Sequence, residues 1–476
     1  MDWLDAAGYG FARQVLQRGT AAVYLIAFLS AVAQFRPLLG EHGLLPVPAY
    51  LRRPAARKSP TIFRWHYSDR MLAALACAGA LLAAALLAGL PQEGPDWAPM
   101  LAFLLLWGGY LSIVNVGQVF YGFGWESLLL EAGFLCAFLG SRHTAAPVTV
   151  IWLARWLVFR LEFGAGLIKI RGDSCWRDLT ALYYHHETQP MPNPASWWFH
   201  HLPKPLHRLE VLGNHITQLV VPFFLFAPQP LASLAAAVII VTQLWLVLSG
   251  NFAWLNTLTI ILAFSAVDDG AAHAVLAAVP AQNGYTATPL WFAVLVLAVS
   301  ALLVALSYWP ARNLLARRQL MNASFNRWHL CNAYGAFGTI TRSRYEIIVE
   351  GTLDEDDEAR WEEYEFKGKP GDPRRLPRQF APYHLRLDWL MWFLGLGARG
   401  DNWFLPLLHR LLNADRATLK LLRRDPFGGL PPARVRARVF RYRYSSWAEL
   451  RSTGQWWVRQ PAGTYVHPVS LADFEA

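Results

Sequence analysis

The sequence predicts a polytopic α-helical membrane domain of about nine apolar segments, followed by a soluble mixed α+β domain. Three observations carry that reading. Apolar residues make up 54% of the chain and charged residues only 16%, against roughly 25% charged in a soluble domain. Residues 71–140 hold no Lys or Arg, whereas 310–476 are rich in both. Past Pro310 the long apolar runs give way to short alternating stretches.

The apolar segments lie near residues 20–36, 71–90, 100–120, 127–140, 147–170, 213–228, 231–249, 252–267 and 290–309. A span needs about 20 residues, so those at 127–140, 213–228 and 252–267 are short. The acidic start MDWLDAAGYG reads as leading into an uncleaved first span, despite the Ala31-Val32-Ala33 triplet. The boundary falls between 1–318 and 319–476. In the second part, AFGTITRSRYEIIVEG at 336–351 reads as one or two strands, and DEDDEA at 354–359 as a solvated acidic turn. LDWLMWFLGLG at 387–397 is too short to span and reads as packed on the membrane surface or in the domain core. ARVRARVFRYRYS at 433–445 alternates, with a change of phase at 439/440 that predicts a β-bulge.

If all nine segments cross, residues 37–70, 171–212 and 310–476 share one side of the membrane. That side carries Arg36, Arg52, Arg53, Arg57, Lys58, Arg64 and Arg70 in its first loop, and the opposite loops are nearly free of Lys and Arg. The positive-inside rule alone places the shared side in the cytoplasm. The net charge of +10 is accounted for by basic residues facing lipid headgroups. Neither zinc-finger spacing nor a base-reading basic helix is present, so nucleic acid is not an expected partner and membrane lipid is.

The fifth segment, WLARWLVFRLEFGAGLIKIRGD, carries Arg155, Arg160, Glu162 and Lys169. Arg155, Glu162 and Lys169 recur every seven residues, two helical turns, and form a polar stripe on an apolar helix. A charge at the bilayer centre costs about 2.5–3.5 kcal/mol, so the stripe must face the bundle interior or a wet cavity. Glu131 is a candidate partner for Arg155 or Arg160, and Asn115 and Gln118 are candidates to extend the polar interior. Lys169 fits three readings: an anchor snorkelling to the headgroups, a desolvated base, or part of a docking face. Gly172 is expected to end the helix. Arg171, Asp173, Trp176, Arg177 and Asp178 then turn the chain into ETQPMPNP, whose Glu187, Gln189, Pro190, Pro192, Asn193 and Pro194 are expected to form a stiff client-facing loop.

Six of the fourteen histidines fall between 185 and 215, but no two stand in an H-x-x-x-H arrangement and no thiolate is near. The spacing gives no metal site, and an interfacial belt with Trp197, Trp198 and Phe199 is the expected role. No cofactor is expected. Cys77 and Cys136 read as core residues. Cys175 and Cys331 could pair only if their segments meet on an oxidising face.

The strings GLIKIRGDSCWRDLT, HHETQPMPNPASWWFHHLP, LGNHITQLVVPFFLF and SGNFAWLNTLTI resemble the lipase maturation factor family. So do NAYGAFGTITRSRYEIIVEGT, YEFKGKPGDP, PYHLRLDWLMWF and GQWWVRQ. The resemblance implies a polytopic membrane protein that assists the folding or assembly of secreted lipases, with its C-terminal domain on the exported side. It implies the endoplasmic reticulum membrane in eukaryotic relatives. For an Ala/Leu/Arg-rich chain of bacterial character it implies the inner membrane, and an exported client, possibly a lipase. A shorter resemblance covers Gly166, Lys169 and Trp176, which look like the base-bearing segment of vitamin K-dependent gamma-carboxylases. It implies an alternative: a membrane enzyme using Lys169 as base on a quinone-like cofactor, with a lipid-sized pocket beside it.

Overall fold

The architecture is described from a computed structural model covering residues 2–275, 284–355, 359–398 and 400–475. Residues 356–358 of the acidic turn lie outside the described residues. The principal helices are α1 (Gly10–Leu39), α2 (Asp69–Ala88), α3 (Trp97–Val116), α4 (Gly124–Cys136), α5 (Val148–Arg171), α6 (Leu182–Thr188), α7 (Lys204–Leu219), α8 (Leu231–Ser249), α9 (Leu255–Ala263) and α10 (Leu290–Leu306). Local chemistry sets their ends. Ser68 Oγ accepts from Met71 N to start α2, and Gly89 stops it at φ 89°.

Among the described residues, five helices are long and apolar enough to cross a membrane: Ala7–Leu39, Asp69–Ala88, Trp97–Val116, Leu231–Ser249 and Leu290–Leu315. A sixth arises if Leu255–Ala266 and Asp269–Val275, bent by 116°, count together. The expected nine therefore reduce to five or six by this measure, for identifiable reasons. The 13 residues of α4 extend only about 20 Å, against the ~30 Å hydrocarbon core. α5 is long enough but heavily charged, α7 has 16 residues with a polar first half, and α9 has nine. The apolar window of α1 is 61% buried and those of α2 and α10 only 28%, so α1 is central and the other two present an apolar outer face.

The C-terminal part holds a four-stranded antiparallel sheet, β1 (Arg344–Thr352), β2 (Glu362–Glu363), β3 (Arg434–Tyr444) and β4 (Trp457–Val469), in the order β2-β1-β3-β4. Of the first expected stretch only residues 344–351 form a strand, which runs on to Thr352. β3 stays in register with β1 throughout, and the irregularity at Val439/Phe440 lies in its pairing with β4. β4 is an edge strand, where Pro461 and Pro468 lose no ladder bond the sheet needs. Helices α11 (Arg386–Gly395), α12 (Asp401–Leu412) and α13 (Trp447–Thr453) complete this part. Residues 387–394 are not a surface segment: Leu387, Trp389, Leu390, Met391 and Leu394 of α11 are buried.

Buried polar contacts join this part to the bundle. Arg386 donates to Glu126 Oε1 at 2.6 Å and to the Phe120 carbonyl at 2.9 Å, and its guanidinium lies 3.4 Å from the Tyr121 ring centre. Gln34 Nε2 donates to the His384 carbonyl at 2.7 Å, while Asn251 Oδ1 accepts from Phe380 N and Ala381 N. Cys175 and Cys331 are separate buried thiols, Cys331 bonding the Leu303 carbonyl.

Candidate functional site

The two faces of α5 have different partners. On one, Arg160 pairs with Glu131 Oε1 and donates to the Asn332 carbonyl at 2.8 Å. Glu131 Oε2 accepts from Asn332 N, Asn332 Nδ2 and Tyr334 Oη. On the other face lie Arg155, Glu162 and Lys169, the spacing of seven having aligned them. Arg155 donates to the carbonyls of Ser265 and Leu225, and its guanidinium packs over Tyr9. Glu131 therefore serves Arg160 and not Arg155. Asn115 and Gln118 stand apart, bonding the Pro60 and Leu45 carbonyls.

Lys169 is buried, so it does not snorkel. Its Nζ donates to Asn214 Oδ1 and Gln218 Oε1, both at 2.9 Å, and lies 4.7 Å from the Trp176 ring centre. Gln218 Nε2 passes on to Glu162 Oε2 at 3.1 Å, and Gln243 Nε2 donates to Glu162 Oε1 at 2.6 Å. A cation and an anion are thus linked through the Gln218 carboxamide, which presents its oxygen to Lys169 and its N–H to Glu162.

This relay lines a cavity of about 830 Å³ bounded by α5, α7, α8, α11 and residues 119–125 and 335–339. Its walls are largely apolar and include Phe123, Trp125, Trp176, Trp245, Phe337, Trp389, Trp392 and Phe393. An apolar concavity with a few convergent polar groups is the arrangement of a binding site for a hydrophobic or amphiphilic group.

Gly172 ends α5, and an added Cβ would stand 2.1 Å from the Gly338 carbonyl oxygen, so the close approach requires glycine. Asp173 caps the following turn through Cys175 N and pairs with Arg342 at 3.0 Å. The Cys175 N–H, first, and the Ile340 N–H hold its carboxyl below the usual range. Trp176 is buried and donates to the Phe337 carbonyl, while Arg171, Arg177 and Asp178 are exposed. Arg171 reaches Leu314 O and Arg177 caps α5 through Ile170 O.

The ETQPMPNP loop differs from expectation. Gln189, Pro190, Met191, Pro192 and Asn193 are buried between the bundle and the sheet, and Glu187 and Pro194 are partly buried. Arg344 donates to the carbonyls of Glu187, Gln189 and Pro190. Asn193 Nδ2 bonds Val247 O, Leu248 O and Gln379 Oε1, and Glu187 accepts from Tyr444 N. The prolines have a physical reason to be there: each lacks an N–H, so the buried strand presents mainly carbonyls, and one guanidinium satisfies several. The rigidity of this loop serves burial, not the meeting of an outside partner.

Residues 11–274 match the lipase maturation factor transmembrane domain, and 330–467 the lipase maturation factor C-terminal domain. The chain is 40% identical to lipase maturation factor 1 of Bos taurus, covering 99% of this chain and 91% of the relative. The chain belongs to the lipase maturation factor family. Lipase maturation factor 1 of Homo sapiens is 40% identical over 99% of this chain and 90% of its own length. Lipase maturation factor 2 of Homo sapiens is 30% identical over 98% and 84%. No solved structure matches. With its apolar helices, this lipase maturation factor family member is an integral membrane protein.

Several residues of the site escape a reading of the sequence. Asn214 and Gln218, one helical turn apart in LGNHITQL, complete the lysine's shell, and Gln243 is the only amide in the apolar run of α8. A lone amide in such a helix is the signal that could have found it. The histidines also group differently from the expected belt. His186 of α6 meets His207 and Glu210 of α7, with one ligand atom from each within 4.8 Å of the others. The absence of a metal site rested on spacing along the chain, and this grouping crosses two helices.

Proposed function

We propose that this chain is a membrane-embedded maturation factor that assists the folding or assembly of lipases or related exported clients. The observation that carries this is the likeness to lipase maturation factor 1 over 99% of the chain. The aromatic cavity with its Lys169–Gln218–Glu162 relay is the part suited to receive an apolar client segment or an amphiphile. Arg171, Arg177 and Asp178, exposed beside it, form the client-facing rim, and residues 187–194 hold that rim to the C-terminal domain. The domain boundary is 318/319. All nine segments belong to the membrane domain, with the charged fifth segment and the short 127–140 and 252–267 packed among the long apolar helices. A factor for secreted clients must face them, so residues 37–70, 171–212 and the C-terminal part lie on the exported side: the periplasmic side of the inner membrane in a bacterium.

The test is co-expression with a secreted lipase in cells lacking their own maturation factor. The specific activity of secreted lipase should rise with the wild-type chain and not with Lys169→Met. Single cysteines at Ser59, Ser174 and Ser452 should all be labelled from the exported side. The carboxylase-type alternative finds no support among these relatives. Its required pocket beside Lys169 does exist, so consumption of a reduced quinone by the purified chain, abolished in Lys169→Met, would displace the maturation reading.

A further inference from the structure

His186, His207 and Glu210 play no part in the relay, yet their surroundings are unusual. His186 is 1% exposed and His207 2%. His207 and Glu210 stand at i and i+3 on α7, with Nδ1 3.9 Å from Oε2. His207 Nε2 lies 3.3 Å from the His200 carbonyl oxygen. A carbonyl only accepts, so the proton is on Nε2 and a lone pair is on Nδ1. That Nδ1 has no hydrogen-bond partner and faces a carboxylate, acceptor against acceptor. His186 has no partner on either ring nitrogen.

An unpartnered buried group of this kind is destabilising. Two of these three nitrogens carry lone pairs, since neutral His186 keeps one N–H, and two lone pairs beside a carboxylate call for an acceptor of lone pairs. The neutral imidazole is the metal-binding form. The atoms pointing away from the cluster are already engaged. His207 Nε2 is held by a carbonyl, and Glu210 Oε1 accepts from Trp245 Nε1 at 2.7 Å. Outer partners of this type orient metal ligands.

We propose that His186, His207 and Glu210 bind a divalent transition-metal ion, Zn²⁺ by the chemistry of the donors. Two imidazoles and one carboxylate are a zinc ligand set. Metal–ligand bonds of about 2 Å put tetrahedral donors about 3.3 Å apart, so the cluster closes inward by about an ångström. His186, with both nitrogens unbound, is the ring that can turn. The ion ties α6 to α7 and so fastens the segment leading into the buried loop against the cavity wall, of which Glu210 is part.

The full chain in detergent, stripped with a chelator and dialysed against Zn²⁺, should retain about one zinc per chain and unfold at a higher temperature than the stripped protein. His66→Ala, exposed and remote, should behave as wild type. Glu210→Gln keeps an oxygen for Trp245 and should fold, but bind zinc about tenfold or more weakly and lose the thermal shift; His207→Ala should do the same. Folded wild type that takes up no zinc above the His207→Ala level, or Glu210→Gln that binds as wild type does, overturns the proposal. Neither readout involves a client.

Discussion

The two faces of α5 handle charge in opposite ways. On one, Arg160 and Glu131 meet directly and are closed over by Asn332 and Tyr334. On the other, Lys169 and Glu162 never touch; Gln218 stands between them, and a cavity opens beside the relay. A direct pair whose carboxylate accepts from Arg160, Asn332 and Tyr334 fixes packing and leaves little for a ligand. A relayed pair keeps both charges buried yet exchangeable, because an incoming group can take over an amide's place. The first face is built to hold and the second to receive.

The largest effect expected from breaking that contrast is Glu131→Ala. It strands Arg160 in the interior and should cost about 3–5 kcal/mol, read as a collapse of the thermal transition in detergent. Arg344→Met extends the direct-pair logic to the buried loop. It leaves the carbonyls of Glu187, Gln189 and Pro190 unpaired and should cost about 3 kcal/mol, with new protease cleavage at residues 187–194 as the specific sign. Glu162→Gln tests the receiving face. The neutral side chain still packs between Gln218 and Gln243, so a loss of about 1–2 kcal/mol is expected together with a larger loss of client maturation. Equal damage from Glu131→Ala and Glu162→Gln would erase the distinction between the faces.

The smallest effect lies outside the membrane. Arg443 and the Ser446 N–H pull the Glu449 carboxyl down to about 2. A carboxyl depressed in the folded state stabilises fully above its ordinary value and loses that contribution as pH falls toward about 2. Fraying of α13 should therefore begin below about pH 4.5 in wild type, monitored by the Trp447 signal. In Glu449→Gln it should be nearly independent of pH.

The stripe on α5 was legible because it depends only on helical period. Its partners were not: Gln218 and Gln243 lie 56 and 81 residues from Glu162, and nothing local marks which amide a carboxylate will meet. The sheet was partly legible from alternation in 433–445, yet residues 336–343 imitate a strand and instead run beside Gly172 and Trp176. ETQPMPNP was recognised as rigid, but rigidity looks the same in sequence whether the loop meets a partner or its own C-terminal domain. The decisive residue, Arg344, is 154 positions from Pro190. The nine expected segments and the five or six long apolar helices part where charge or brevity sets a helix apart from the long lipid-facing ones.

The joint at Arg386 sets an order of events during synthesis. Glu126 emerges from the ribosome 260 residues before Arg386, the cation that neutralises it. Gln34 waits still longer, 350 residues, for the His384 carbonyl. Until the last third of the chain is made, the early helices hold a carboxylate and an amide without their final partners, and the bundle cannot close. The chain thus begins as an incomplete fold, finished only when its own C-terminal part reaches back.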